Sequence, residues 1–271
     1  MATPVTILIA VLVAGAVPGE PPADQCSRIQ AALESALESA ESRKEPEDAL
    51  HGIYSEAVNA TQRCPAAEGL AYVLVRSAEL GRGMLIAELP DNGLPELPKL
   101  AATAAERFPA SARILTVQAR VSRDVDVARR ALAADPRYVP ARVVLADILV
   151  QSGDWRGAEA ILEGTQHLSA TNDGLVVLAL VKLKKGDARG ALAKANQALT
   201  GLREESIEPD ARDPRPVMRA HAVAARAALS LRRFDTAAVH LLEANPQDPL
   251  VRELVQNPPS GLAKALKAHH R

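Results

Sequence analysis

The chain has 271 residues, of which 48% are hydrophobic but only 2% aromatic, so its core must be filled by Ala, Leu and Val between closely approaching helices. A formal net charge of -1 with 24% charged residues removes the electrostatic case for nucleic acid or an anionic membrane surface as partner. Abundant alanine, with few β-branched runs beyond the N-terminus, predicts helix throughout.

Val5 to Val17 reads VTILIAVLVAGAV without a charge, then meets Pro18, Gly19, Pro21 and Pro22. As a helix it spans roughly 20 Å, short of a hydrocarbon core of about 30 Å. Ala14-Gly15-Ala16 offers the small residues a signal peptidase requires, so residues 1–16 are read as a cleavable signal peptide with cleavage after Ala16. No Lys or Arg precedes the run, which leaves an uncleaved membrane anchor and a buried helix as alternatives. On the first reading the protein is periplasmic or secreted, with no membrane insertion after signal removal.

Residues 23–88 form an N-terminal helical part. Cys26 stands near the start of one apolar-periodic stretch (Ile29, Leu33, Ala36, Leu37) and Cys64 at the end of another (Leu50, Ile53, Ala57). The break at Arg43-Lys44-Glu45-Pro46 holds the midpoint of the two cysteines, so an antiparallel hairpin would set the sulfurs side by side. A disulfide is expected; the alternative is two unpaired buried cysteines. Pro65 is taken to start a further helix that Gly81-Arg82-Gly83 interrupts. The proline-rich stretch from Leu89 to Pro98 is a rigid connector or an elaborated loop within one continuous array.

From residue 100 to 250 the sequence repeats. Ala112, Ala146, Ala179 and Ala225 recur at intervals of 34, 33 and 46 residues, and Ala131, Thr165, Ala198 and Ala244 recur in step. Gly153-Asp154-Trp155 and Gly186-Asp187-Ala188 mark corners between helices, loosely matched by Arg232-Arg233-Phe234, while Pro136 and Pro249 close two of the units. The longest interval contains Arg203 to Pro216, with three prolines and eight charges, which predicts a solvated loop. Residues 251–271 are read as a C-terminal capping helix starting at Ser260.

This pattern resembles the tetratricopeptide repeat: a small residue in the first helix, a glycine-aromatic turn, two alanines and a closing proline. The strongest match is Gly153-Asp154-Trp155-Arg156-Gly157-Ala158. Departures are Asp124 where a small residue is expected, Arg203 in place of a proline, and Lys182 in an aromatic slot. The resemblance implies an all-α fold, an α-solenoid of antiparallel helix pairs, and a non-enzymatic role in binding a protein or peptide partner. Its groove positions fall on Arg113, Val143, Asp147, Val176, Leu180, Arg219 and Arg226, a lining suited to an extended peptide or a partner helix.

No GxSxG, P-loop, HExxH, CxxC or SxxK pattern is present. His51, His167, His221 and His240 stand isolated in the sequence, and His269-His270 lies at the terminus. No catalytic group, cofactor or metal site is therefore expected. A helical accessory domain of an envelope hydrolase, with chemistry supplied by another chain, is the alternative function.

Overall fold

A computed structural model describes residues 23–43, 47–83, 97–163, 165, 172–204 and 214–269. The segment expected to be a signal peptide with cleavage after Ala16, most of the proline-rich stretch and the centre of the charged insertion lie outside these residues. Among them there are fourteen helices and no strand. No described helix is long and apolar enough to cross a membrane.

By backbone contacts the chain divides into two compact units, one of residues 1–135 with 206–212, the other of 136–205 with 213–271. The first unit holds α1 (Ala23–Arg43), α2 (Glu47–Arg63), α3 (Glu68–Gly83), α4 (Leu97–Arg107), α5 (Ala112–Ser122) and α6 (Val125–Ala134). Each helix packs on the next, and the odd-numbered helices also pack on one another, α1 on α3 and α3 on α5. This is the pattern of antiparallel pairs stacked side by side.

The core of α1, α2 and α3 is built from Ile29, Leu33, Leu37, Leu50, Ile53, Leu70 and Val73, all buried. Burying each such side chain contributes roughly 1.5–3 kcal/mol. Cys26 and Cys64 form a disulfide that joins the start of α1 to the end of α2, their Cα atoms 5.7 Å apart. Helix α3 runs through Gly81 to its end at Gly83 rather than breaking there. Pro98 sits in the first turn of α4, where a missing N–H leaves no intrahelical bond unmade.

The second unit holds α7 (Val139–Gln151), α8 (Trp155–Leu162), α9 (Asn172–Lys184), α10 (Ala188–Glu204), α11 (Pro214–Ser230), α12 (Phe234–Glu243), α13 (Arg252–Gln256) and α14 (Ser260–His269). Here too the first helices of successive pairs meet, α7 with α9 and α9 with α11, while α14 covers α12. Ala146, Ala158, Ala179, Ala191, Ala195, Ala198 and Ala225 are buried at the crossings. A methyl group is all that fits where backbones approach this closely. The ends of the charged insertion are helical: Arg203 belongs to α10, and Pro214 and Pro216 open α11.

Among the described residues four have a left-handed backbone, and together they fix the true repeat register: Arg123, Gly153, Gly186 and Arg232. Each ends the first helix of a pair. Glycine takes this conformation freely at Gly153 and Gly186; arginine takes it at some cost at the other two. The next residue caps the second helix where it is an aspartate: Asp124 accepts from Asp126 N and Val127 N, Asp154 from Gly157 N, and Asp187 from Gly190 N. Asp124 is thus a cap and no departure from the pattern.

The corner positions are separated by 30, 33 and 46 residues. Measured from its corner, the first unit's counterpart of Ala146 is Thr116, which is buried and donates its hydroxyl to the Ala112 carbonyl at 2.6 Å. Ala112 is only half-buried, one helical turn earlier, at the start of α5. Residues four apart share a helix face, so the alanine spacing alone slips by a turn without changing the apolar pattern.

Candidate partner-binding faces

Within each unit, an ion pair ties the first and third of the successive first helices across the second. In the first unit Arg113 on α5 donates Nη1–H to Glu34 Oε1 on α1 at 3.0 Å. The Arg113 guanidinium lies 3.8 Å from the centroid of Tyr72, which belongs to the intervening α3. A cation held over an aromatic face gains from the ring quadrupole. The side chains of Arg113 and Glu34 remain 39% and 25% exposed. Glu34, Tyr72 and Arg113 therefore form a polar-aromatic row that still meets solvent.

Two helical turns along lies a second row. Arg76 on α3 donates to Glu41 on α1 at 2.7 Å and to Glu79, its own neighbour on α3, at 2.6 Å. Arg120 on α5 reaches both oxygens of Glu79, at 3.1 and 3.2 Å. The Glu79 side chain is only 7% exposed. Burial opposes its charge, yet Arg120 and Arg76 outweigh this and hold its carboxyl below the usual carboxylate range. For Arg76, burial likewise works against the cation, and Glu79 and Glu41 more than compensate, leaving it more basic than a free arginine. The formal charges of Glu41, Arg76, Glu79 and Arg120 cancel, so this row holds helices together more than it presents charge. At the base of α5, Ser111 donates to Glu68 while accepting from Ile114 N, which joins that helix start to α3.

In the second unit the corresponding strap runs from Arg219 on α11 to Asp147 on α7. Helix α9 packs against both and lies between them. Asp147 is buried and also accepts from Gln151 at 3.0 Å. Burial disfavours the Arg219 cation, but the hydrogen bond and charge of Asp147, aided by Asp248 and Asp173, leave it more basic than usual. Val143, Val176 and Leu180, expected to line an open groove, are 7%, 3% and 3% exposed. They are core residues here. Helices α7 and α9 are apolar nearly all round, as helices buried on every side are. Arg226 on α11 is partly exposed.

Of the seven groove positions, the structure thus places Arg113 in the half-open row of the first unit and Arg226 at the surface of the second. Asp147 and Arg219 are bonded to each other. Glu34, Tyr72, Arg76 and Glu79 were not singled out by sequence. Their signal was a seven-residue spacing shared by Glu34 with Glu41, Tyr72 with Glu79 and Arg113 with Arg120, visible once the three helices are known to be neighbours. Likewise His221 and His240, isolated in sequence, meet across α11 and α12 with their Nδ1 atoms 3.0 Å apart. Among the described residues no three metal-ligating side chains gather at one point.

Comparison with curated proteins finds no match. Among solved structures, the chain is similar to one in the APC/C hetero-tetramer Cut9–Hcn1, at 14% identity and a TM-score of 0.42, covering 98% of this chain and 59% of that one. It is similar also to yeast Tom70, at 13% identity and a TM-score of 0.35, covering 93% and 62%. The chain spans less than two thirds of the length of either, and the fold assignment rests on the helix pairs described above. Residues 125–172, running from α6 through α8 to the start of α9, match the family model of the tetratricopeptide repeat. That match falls on paired helices, on the left-handed corner at Gly153 and on the alanine crossings of Ala146 and Ala158.

Proposed function

We propose that this protein is a non-enzymatic interaction scaffold that receives a protein partner on the inner helices of its first unit. The observation that carries this reading is the row of Glu34, Tyr72 and Arg113 on three successive first helices, half-exposed and rich in hydrogen-bonding capacity. Arginine and tyrosine are the residue types that dominate binding energy at protein interfaces. A helix or extended segment laid across α1, α3 and α5 would gain apolar contact from the Tyr72 ring. Its carboxylates would compete with Glu34 for the fork of Arg113.

Export to the cell envelope is the second part of the proposal. The uncharged run ending near Ala16 supports it, as does a disulfide, which persists in oxidising compartments. Mass measurement of the purified protein after expression in an exporting host should give a new N-terminus at Val17. A full-length cytoplasmic product would remove this part.

For the binding role, the tagged protein is used to capture partners from envelope extract, beside Tyr72→Ala/Arg113→Ala and the control Arg129→Glu. Arg129 lies on α6 in an ion pair with Asp126, both well exposed. A stoichiometric partner should be lost by at least about tenfold with the inner-face variant and retained with the control. Equal recovery with all three proteins would exclude this face.

A further inference from the structure

We infer that Gly69, Gln30, Tyr72 and Arg113 form a notch for a side-chain carboxylate, and that Glu34 of the same chain fills it as a resident stand-in for an acidic partner segment. The inference rests on the reading that a partner lies across α1, α3 and α5, and it names the chemistry that partner must bring.

The notch begins with a missing side chain. Gly69 is buried in the first turn of α3, one turn before Tyr72. A methyl group at Gly69 would lie 2.5 Å from Glu34 Oε1 and would also collide with Gln30 Nε2. Both of those side chains reach over from α1, so the glycine leaves room for a carboxylate to settle against the backbone of α3. The same Oε1 of Glu34 accepts from Arg113 Nη1–H at 3.0 Å. Tyr72, with its ring centroid 3.8 Å from that guanidinium, holds the cation in place. The first-turn amides of α3 add partial positive charge on the other side. Glu68, the residue before the glycine, is engaged by Ser111 on α5.

Glu34 holds this place with little advantage. Its side chain is 25% exposed and that of Arg113 39%, and an ion pair this open is favoured over its separated state by only a few-fold. An acidic side chain of a segment lying across the three helices exchanges with it at Arg113. One N–H···O bond breaks, one forms, no proton moves, and Glu34 turns out to solvent. A segment without an acid group has nothing to put in its place, so Glu34 also screens against such segments.

The test is fluorescence anisotropy of the full chain at low salt with two terminally blocked peptides, hexaglutamate and hexaglutamine, carrying the same uncharged fluorophore. Glu34→Gln should bind hexaglutamate about three- to fivefold tighter than the parent, the range over which such a pair competes. Glu34→Gln/Arg113→Ala should bind at least about tenfold more weakly than Glu34→Gln, as expected for loss of a charge-assisted hydrogen bond. Glu34→Gln/Gly69→Ala, which favours the helix but fills the notch, should lose the gain. Hexaglutamine should not respond to the Glu34 change. Equal binding of hexaglutamate by parent and Glu34→Gln, binding retained without Arg113 or with Gly69→Ala, an equal gain for hexaglutamine, or no binding by any of the proteins would overturn the inference. If partner capture still depends on Tyr72 and Arg113 in such a case, the binding face stands and the carboxylate notch alone falls.

Discussion

The two units solve one packing problem in different ways. Both set three first helices side by side and strap the outer two together across the middle one, with Arg113–Glu34 over α3 and Arg219–Asp147 across α9. In the first unit the middle helix presents Tyr72 to that strap and Arg76 to the second row beside it, and α1 and α2 are further joined by a disulfide. In the second, the middle helix presents Val176 and Leu180, which are buried, and cohesion comes from alanine crossings and aspartate caps. A repeat scaffold can therefore keep an inner face polar and half-open in one stretch and closed in another. Side chains decide which, since the described corners at Arg123, Gly153, Gly186 and Arg232 share one left-handed backbone conformation.

The largest effect expected on this contrast is from Cys26→Ser/Cys64→Ser. The bond joins residues 38 apart, and in the chain-entropy model its loss costs roughly 4 kcal/mol. Denaturant titration followed by hydrogen exchange should show the loss concentrated in α1 to α3, with amides of α9 to α12 unaffected. A uniform loss would mean that the units do not differ in their source of cohesion.

Glu79→Gln should follow, at about 2–3 kcal/mol, because it leaves Arg76 and Arg120 without their shared carboxylate while both keep some solvent contact. Its pH dependence has a definite sign. The folded-state pKa of Glu79 is lowered, so its stabilisation is complete above the unfolded value of about 4.3 and fades as pH falls through the lower folded value. The stability gap between parent and variant should be constant near neutrality and narrow only in acid. A gap that narrows above about pH 6 would point to another group.

In the second unit Ala179→Leu should cost about 1–3 kcal/mol by overpacking, since Ala179 has no exposed surface at its crossing. Thermal denaturation would measure it, and a neutral result would show that α9 has room to shift. The smallest effect belongs to Asp154→Ala, about 1 kcal/mol from loss of the cap on Gly157 N at 2.9 Å. A loss near zero, as seen by denaturant midpoint, would show that Gly153 alone sets the corner.

Much of this architecture was legible before any coordinates. The paired helices follow from apolar spacing, the corners from glycine before aspartate, and the cysteine pairing from symmetry about a hairpin turn; all are local or nearly local constraints. The register of the first unit was not, because Ala112 and Thr116 share a helix face and only the left-handed Arg123 separates them. An arginine in that conformation carries no signal in the sequence.

What the chain determined by itself is thus its class: helix pairs, repeated, crossing on alanine and turning at fixed corners, since these depend on residues within a turn or two of each other. Tertiary structure alone decided which inner positions stay open. Val143 and Leu180 became core, Glu79 became a buried hub, and His221 met His240. Burial and pairing of this kind depend on residues tens of positions away, brought together only when neighbouring helices stack.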